Sequence, residues 1–482
     1  MDVTRSNLIG GEMLNWSDLH PADARPAAAG AAAAALLAAV LQPTDSVLIA
    51  GPHAADLILA TAAQVTSTDL LVRSAPDAEE LAEQLQETKG EVFCGSLDRF
   101  PEGSAHDGYD VVVALDGLGR LVGPDTATLP WSEALRRLTA RLRPGGRLLL
   151  GAENAFGFQR LIQPNITAAL PRDEDWGRDV GDQPPAGLKP LLEAIAGSTN
   201  TTGSTEDSSG TRGGAGSVQV FGVFPSLVQA DLAVAAVDGF AGVVAARAVA
   251  SCNQGPVLMD PYRLVLDATA AGLGIELAPA WYFVLGTEAP AALPEGVIPS
   301  GEGVLLEEQL LAALRVDDQA ALRRAIPAYV AWLAGGGAGS PDNVIADGTS
   351  YRLFGEPQNL DVVEHLARFA QRALESGARQ PWPAAADPHA LTARLAAMAG
   401  LTVPEPDFTP DEVVRPRGSA EQLATVARLA DELAHASARA ILFEGTVSGI
   451  RRSRPYRIGH AVMNPARVIR RRLKRVLRKV RR

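Results

Sequence analysis

The stretch Val47-Leu-Ile-Ala-Gly51-Pro-His-Ala-Ala55 decides the fold of this chain. Its apolar start predicts a buried strand of a parallel sheet, and Gly51 permits the tight turn that follows the first strand in nucleotide-binding α/β domains. Loops of that kind repeat glycine so that a ligand can approach the backbone, but His53 and Ala55 stand where further glycines are expected. The stretch therefore predicts a ligand-binding type of sheet with an altered ligand loop.

Apolar segments recur after this stretch, with helical sequence between them. Strands are predicted at residues 45–50, 69–73, 91–95, 109–115 and 147–152. This alternation is typical of an α/β fold with a Rossmann-like doubly wound sheet, covered by helices on both faces. Ligands of such sheets bind beyond the carboxyl ends of the strands, which here are Gly51, Ser74, Ser96–Asp98, Leu115–Asp116 and Glu153–Asn154.

Length and composition set the class of protein. A chain of 482 residues with 47% hydrophobic residues is expected to form two or three domains with ordinary cores. Cys94 and Cys252 lie in apolar sequence and predict buried, reduced thiols, which fits the cytoplasm, and no residues have the spacing of a metal site. We expect no secretion signal, because the first residues lack a basic region followed by an apolar core and a cleavage site. The alanine-rich run Ala27–Leu41 is shorter than the ~20 residues that span a bilayer and predicts a helix packed under the first strand.

Composition changes along the chain suggest its domain organisation. We expect a first domain over residues 1–250, a mixed and mostly helical domain over 251–450, and a basic amphipathic tail over 451–482. The Gly-, Ser- and Thr-rich residues 197–217 predict a mobile loop inserted in the first domain. Asp347-Gly348 predicts a hairpin turn. The flanking and C-terminal elements are predicted as a strand at Val218–Phe224 and helices at Leu188–Ala196, Ala320–Ala334, Asp361–Ser376, His389–Ala399 and Ser419–Phe443.

The tail differs in charge from the rest of the chain. The whole chain has a net charge of −12, yet residues 451–482 hold fourteen Arg or Lys and no Asp or Glu. Ile469, Leu473, Val476 and Val480 recur at helical spacing among these basic residues. Such a helix can lie on an anionic membrane surface, bind an acidic protein partner, or stay solvated as a tail. Nucleic acid is disfavoured because no aromatic residues alternate with the arginines.

Three later segments resemble, in order and spacing, the class I S-adenosylmethionine-dependent methyltransferases. They are Cys94-Gly-Ser-Leu-Asp98-Arg-Phe-Pro101, Tyr109-Asp-Val-Val-Val-Ala-Leu115 and Leu142-Arg-Pro-Gly-Gly-Arg-Leu-Leu-Leu150. In the last segment, Pro144 is expected to end a helix and Gly145-Gly146 to turn the chain into the fifth strand. The resemblance covers residues 25–225 and implies a sheet of the class I methyltransferase type.

The resemblance implies a set of cofactor residues. It places Gly51, His53, Ser74, Asp98 and Leu115 around S-adenosylmethionine, with Asp98 accepting a hydrogen bond from the adenine amine. The family's first loop reads acidic, any, Gly, any, Gly, any, Gly, and the corresponding residues here are Ile49, Gly51, His53 and Ala55. Its second strand usually ends with an acidic residue for the ribose, where this chain has Arg73 and Ser74.

Two residues are candidates for the methyl acceptor. Asp116 and Asn154 follow the fourth and fifth strands, where the resemblance places substrate residues. Equally, Asp98 and Asp116 can cap turns, and Asn154 can belong to a simple turn before Phe156. No pair of side chains forms a clear general acid and base, although methyl transfer can proceed by proximity alone.

Two functions remain open from the sequence. The first is a methyltransferase that modifies a hydroxyl on a glycan or small molecule at the inner membrane face. The glycan class comes from the ending Arg452-Ser-Arg-Pro-Tyr-Arg-Ile-Gly-His460, which is similar to C-termini of bacterial proteins associated with cell-surface glycan assembly. The second is a non-catalytic descendant that kept the sheet, lost the cofactor, and acts as a scaffold or regulatory partner.

Overall fold

A computed structural model describes most of the chain. The described residues are 6–20, 26–86, 88–101, 108–123, 126, 129–163, 184–199, 218–252, 257–292, 303–348, 350–377, 381–382, 384–403, 418–456 and 458. The predicted loop 197–217 lies outside these ranges from residue 200 onward, and so does the predicted tail from residue 459 onward. The chain divides into two units, Met1–Glu421 and Gln422–Arg482.

The strands and α-helices of the described residues have the following bounds. The strands are β1 (Asn7–Gly10), β2 (Ser46–Ala50), β3 (Ser67–Val72), β4 (Val92–Gly95), β5 (Tyr109–Ala114), β6 (Leu142–Glu153), β7 (Gln219–Ser226), β8 (Gln229–Val234), β9 (Ala280–Leu285), β10 (Val304–Leu305), β11 (Val344–Asp347) and β12 (Ser350–Leu353). The helices are α1 (Ala31–Val40), α2 (Ala55–Gln64), α3 (Ala75–Gln84), α4 (Trp131–Thr139), α5 (Phe158–Ile162), α6 (Leu188–Thr199), α7 (Gly239–Cys252), α8 (Pro261–Ala270), α9 (Leu306–Arg315), α10 (Gln319–Ala334), α11 (Val362–Glu375), α12 (Pro388–Met398) and α13 (Ser419–Arg452).

A nine-stranded sheet forms the centre of the first unit, in the order β1-β4-β3-β2-β5-β6-β9-β7-β8. The five strands predicted from the sequence are β2 to β6, and they lie parallel in the order β4-β3-β2-β5-β6. This is the 3-2-1-4-5 order of the doubly wound fold. The strand β9 runs antiparallel to β6 and extends the sheet. The predicted Rossmann-like α/β fold is confirmed.

Strand alternation divides the core between the two faces of the sheet. Val47 and Ile49 pack with Leu36 and Leu37 of α1, whereas Leu48 packs on the opposite face with residues of α4 and α7. Every residue of β2 is buried, as expected for a central parallel strand. The alanine-rich run forms the predicted helix, α1, which shares this core with β2 but lies closest to β8 and α2. No helix within the described ranges is long and apolar enough to cross a membrane.

Three sequence predictions differ from the structure in detail. First, α4 ends at Thr139, before Pro144, because the chain pairs with β5 from Leu142 onward and then bulges around Gly145, whose φ is +78°. Second, β9 enters the central sheet from beyond residue 250, so the sheet does not end at the predicted domain boundary. Third, Cys94 is buried but Cys252, in the last turn of α7, is exposed.

The C-terminal part of the first unit is mostly helical. Helices α9 to α12 surround their own core, which includes Leu310, Ile326, Tyr329 and Phe369. The strands β10, β11 and β12 form a small antiparallel sheet. Its hairpin turns at Asp347-Gly348, where Gly348 has a φ of +60°, as the sequence predicted. The described start of the second unit is the long helix α13.

Candidate functional site

The candidate site lies where β2 and β5 end. The chain proceeds from β2 to β3 and β4 on one side, then crosses to β5 on the other side. This change of direction makes a crevice at the carboxyl ends of β2 and β5, which is the usual ligand position in doubly wound sheets. Gly51 lies at its edge with a φ of +86°, and its N–H donates to the Leu71 carbonyl at 2.9 Å. Gly51 thus makes the predicted turn.

His53 connects the two strands across this crevice. Its side chain is 1% exposed. Nδ1 lies 3.0 Å from the Gly51 carbonyl, and Nε2 accepts a hydrogen bond from the Leu115 N–H at 3.0 Å. Because Nε2 accepts, Nδ1 donates and the ring is neutral. Burial lowers the pKa of His53, although the Gly51 carbonyl and the Asp116 carboxylate oppose this shift. The His53 ring therefore accepts the hydrogen bond that the Leu115 N–H donates at the end of β5.

Arg73 occupies the end of β3, where the methyltransferase resemblance places a ribose-binding carboxylate. It is buried, and its Nε and Nη2 donate to the two carboxylate oxygens of Asp18 at 2.8 and 2.9 Å. Burial by itself would raise the pKa of Asp18, but Arg73 outweighs burial and holds that pKa below its usual range. This paired geometry is the strongest kind of side-chain ion contact. The arginine is thus matched by a carboxylate of the same chain.

Residues 11–20, which we call the cover segment, carry Asp18 across the carboxyl ends of β3 and β4. The Met13 N–H donates to the Arg73 carbonyl at 2.7 Å, and the Ala75 N–H donates to the Met13 carbonyl at 3.0 Å. Ser74 caps α3 by accepting from the Asp77 N–H, and its hydroxyl donates to the Trp16 carbonyl at 2.7 Å. Ser74 therefore lies beneath the cover segment.

Asp77, in the first turn of α3, holds the other end of the cover segment. Its carboxylate accepts from the N–H groups of Asp18 and Leu19, at 2.7 and 3.2 Å, and from the Ser17 hydroxyl. Burial raises the pKa of Asp77 despite these donors. A carboxylate at a helix N-terminus is also favoured by the helix dipole. The cover segment is thus tied to the sheet by backbone and side-chain bonds.

Asp116 pairs with Arg120 directly after β5. The two carboxylate oxygens accept from Arg120 Nε and Nη2 at 2.8 and 2.6 Å, and both side chains are buried. Arg120 also reaches the Pro26 carbonyl at 3.1 Å and lies 3.8 Å from an Asp18 oxygen. Asp116 is thereby engaged in a buried ion network that includes the cover segment.

Asn154 fastens the end of β6 to the loop before β9. Its amide nitrogen donates to the carbonyls of Glu276 and Ala278, each at 2.9 Å, and its amide oxygen accepts from the Phe156 N–H at 3.0 Å. Both ends of the side chain are therefore used in the turn before Phe156. These bonds agree with the alternative interpretation of Asn154, in which it belongs to a simple turn before Phe156.

Asp98 differs from the other predicted residues. It lies in a 3-10 turn, Leu97–Arg99, after β4. One carboxylate oxygen, Oδ2, lies 3.4 Å from Arg99 Nε, whereas Oδ1 is buried and has no hydrogen-bond partner among the described residues. A buried acceptor without a partner costs free energy, which makes this atom a candidate for a ligand contact.

A cavity of about 760 Å³ lies beside the cover segment. Trp16, His20, Ala54, Asp77 and Glu80 are among the residues that line it. None of the predicted site residues does so. The open volume thus lies between the cover segment, the start of α2 and the start of α3.

The fold brings together only part of the predicted site. Gly51, His53, Leu115 and Asp116 meet at the crevice, while Ser74 lies under the cover segment and Asn154 belongs to the end of β6. Sequence reasoning missed Asp18, Asp77 and Arg120. The four-residue spacing of Asp116 and Arg120 could have indicated their ion pair. Nothing local could have indicated Asp18, which reaches Arg73 only through the tertiary fold.

The crevice residues do not fit the amino-acid end of S-adenosylmethionine. The His53 ring bridges the place where a glycine would leave room, and it uses the Leu115 N–H. At the ribose position, a buried arginine with its own carboxylate replaces a carboxylate acceptor. Of the predicted cofactor residues, Asp98 has a buried acceptor, Oδ1, without a hydrogen-bond partner among the described residues, as the adenine amine requires.

Sequence comparisons place the chain in no family. No protein-family model matches it, and no curated protein is significantly similar to it. Solved structures share parts of its fold. The CcbJ methyltransferase from Streptomyces caelestis is 20% identical, with a TM-score of 0.22, over 26% of this chain and 53% of its own.

Two further methyltransferases are similar to the same extent. NodS, an N-methyltransferase from Bradyrhizobium japonicum solved with S-adenosyl-L-homocysteine, is 16% identical, with a TM-score of 0.18, over 23% of this chain and 54% of its own. CalS10, an amino pentose methyltransferase from Micromonospora echinaspora solved with bound SAM, is 23% identical, with a TM-score of 0.19, over 24% of this chain and 46% of its own. The chain spans about half the length of these proteins. Such similarity concerns the fold alone, and the strand order independently gives this chain an α/β, Rossmann-like fold with a mostly helical C-terminal region.

Proposed function

We propose that this chain is a methyltransferase-like protein without methyltransferase activity, which acts as a scaffold or regulatory partner. The observation that carries the proposal is the His53 ring, which bridges Gly51 and Leu115 at the crevice between β2 and β5. A cofactor at this place would need the space of the ring and the hydrogen bond from Leu115.

The charges around the crevice support the same proposal. Arg73 and Arg120 are buried, and their contacts with Asp18 and Asp116 form a chain of two arginines and two carboxylates. Opening such a network to admit a ligand would leave buried charges without compensation, which is costly. Side chains of the protein itself thus stabilise the sheet edge at which doubly wound folds bind ligands.

Titration calorimetry with S-adenosylhomocysteine tests the proposal on the full chain. We expect no saturable binding up to millimolar ligand for the wild-type protein or for Asp98→Ala. In a His53→Gly variant with an unchanged circular dichroism spectrum, Arg73 remains paired, so we again expect no binding at micromolar ligand. Saturable binding by the wild-type protein that is lost in Asp98→Ala would refute the proposal. An active methyltransferase titrated in parallel shows that the ligand is competent.

A second candidate function is supported by Asp98 alone. Its buried, unpartnered Oδ1 suits a bound adenine amine, and the function would be O-methylation of a glycan or small-molecule hydroxyl with S-adenosylmethionine as the cofactor. The same titration separates the two candidates, because this one requires binding that depends on Asp98.

A further inference from the structure

Helix α13 exposes an apolar surface that is large for a helix in water. It is 34 residues long, and none of its residues is buried. Leu429, Leu433 and Phe443 are 51%, 69% and 70% exposed. An isolated helix gains little stability from its own backbone, and most helices in proteins are stabilised by packing of an apolar face. This surface therefore needs a partner.

The apolar residues of α13 follow a heptad repeat. Counting Val426 as position a, each of the next a and d positions through Ile450 is apolar over four heptads. A repeat of this length is typical of a coiled coil, in which such residues pack between two helices. The a positions are Val426, Leu433, Ala440 and Val447, and the d positions are Leu429, Ala436, Phe443 and Ile450; all eight are exposed.

We propose that α13 pairs with α13 of a second copy of this chain as a parallel, in-register coiled coil. The charges beside the repeat favour this occupant. Arg439 is a g position and Glu444 is the following e position, so each arginine would lie next to the glutamate of the other helix. Neither residue takes part in an ion pair within the described part of the chain.

The centre of the repeat is built for close approach. Ala436 and Ala440 are adjacent d and a positions, flanked by the larger Leu433 and Phe443. Small residues at the middle and large residues on either side let the two helices approach closely there. Outside the repeat, Leu442 at position c is 70% exposed and would stay in solvent. It provides a matched control for loss of apolar surface.

The oligomeric state of the full chain tests the proposal. By multi-angle light scattering we expect the mass of a dimer for the wild-type protein and for Leu442→Glu, but that of a monomer for Leu433→Glu at micromolar concentration. A charge in the repeat is buried without a partner, whereas a charge at position c is not. A monomeric wild-type protein, or equal masses for the two variants, would overturn the proposal.

Two further variants test the orientation of the helices. Arg439→Glu is expected to weaken the dimer by about two- to tenfold, and Arg439→Glu with Glu444→Arg to restore it. In a Cys252→Ser background, Leu429→Cys should form an intermolecular disulfide, because equivalent d positions face each other only in a parallel pair. Failure of both tests in a protein that still dimerises would exclude the parallel arrangement. If Leu433→Glu changes vesicle binding but leaves the molar mass of the protein unchanged, the apolar surface of α13 binds lipid and the proposal fails.

Discussion

At the scale of residues, the His53 side chain lies at the sheet edge where doubly wound folds usually bind ligands. His53 follows the turn at Gly51, whose φ is +86°. A buried imidazole with a donor at one nitrogen and an acceptor at the other satisfies one backbone group on each strand. It therefore joins the residues that follow β2 and β5 at the end of the sheet.

The titration of His53 gives a testable pH dependence. Its pKa in the folded state lies below the ordinary value of about 6.5 because the ring is buried. Below about pH 6.5, His53 is protonated in the unfolded chain but stays neutral in the folded chain. The free energy of unfolding therefore falls as the pH falls, by at most about 1.4 kcal/mol per pH unit. We expect His53→Gln to remove this part of the pH dependence.

Urea unfolding of both proteins at about pH 7.5 and about pH 5.5 measures the effect. Other titrating groups contribute equally to the two proteins, so the difference between them isolates His53. Equal losses of stability on acidification would show that His53 titrates in the folded state as it does in the unfolded state.

At the scale of elements, the cover segment is the device that distinguishes this sheet from an open one. Strand β1 runs beside β4, and residues 11–20 then pass over the ends of the neighbouring strands instead of leaving the sheet. Asp18 and Asp77 fix the segment at two places, one through Arg73 and one through the start of α3. The edge is thereby closed by a piece of the same chain.

We expect Asp18→Asn to destabilise the first unit by about 3–5 kcal/mol, because it removes a carboxylate from two buried arginines. Urea unfolding monitored by circular dichroism measures this change. Glu80→Gln is the matched control, since Glu80 is exposed beside the same segment and its substitution should cost less than about 0.5 kcal/mol. If Asp18→Asn costs no more than the control, the ion network does not stabilise the cover segment.

At the scale of the whole molecule, charge is unevenly distributed along the chain. The chain is acidic overall, yet residues 451–482 are strongly basic. We predict that this tail binds an anionic membrane surface at the cytoplasmic face, through lysine and arginine contacts with lipid phosphates. Residues 459–482 lie outside the described residues, so this prediction rests on the sequence pattern alone.

Truncation after Ile450 is expected to abolish cosedimentation with vesicles that contain phosphatidylserine, while the heptad repeat of α13 is retained. Binding of the full chain should weaken with added salt, since exposed charges are screened. Vesicles of phosphatidylcholine alone serve as the control. Sedimentation that is unchanged by the truncation would remove the membrane surface from the partners of this chain.

The sequence by itself determined the five strands β2 to β6 and their order along the chain. Val47–Ala50, Val111–Leu115 and Leu148–Leu150 are apolar runs with glycine close to one end, and such local patterns are enough to locate buried strands and their turns. It also located the edge of the sheet that holds Gly51 and Leu115, because parallel strands end together. The sequence also predicted that the ligand loop is altered, since His53 stands in place of glycine.

Only the tertiary structure decided what fills that edge. The pairing of Arg73 with Asp18 and the contact of Ser74 with Trp16 join residues far apart in the chain. No periodicity or spacing encodes such contacts, because they depend on the path of the cover segment over the ends of the strands. Burial then makes each contact strong, by removing the water that would otherwise compete for the same hydrogen bonds.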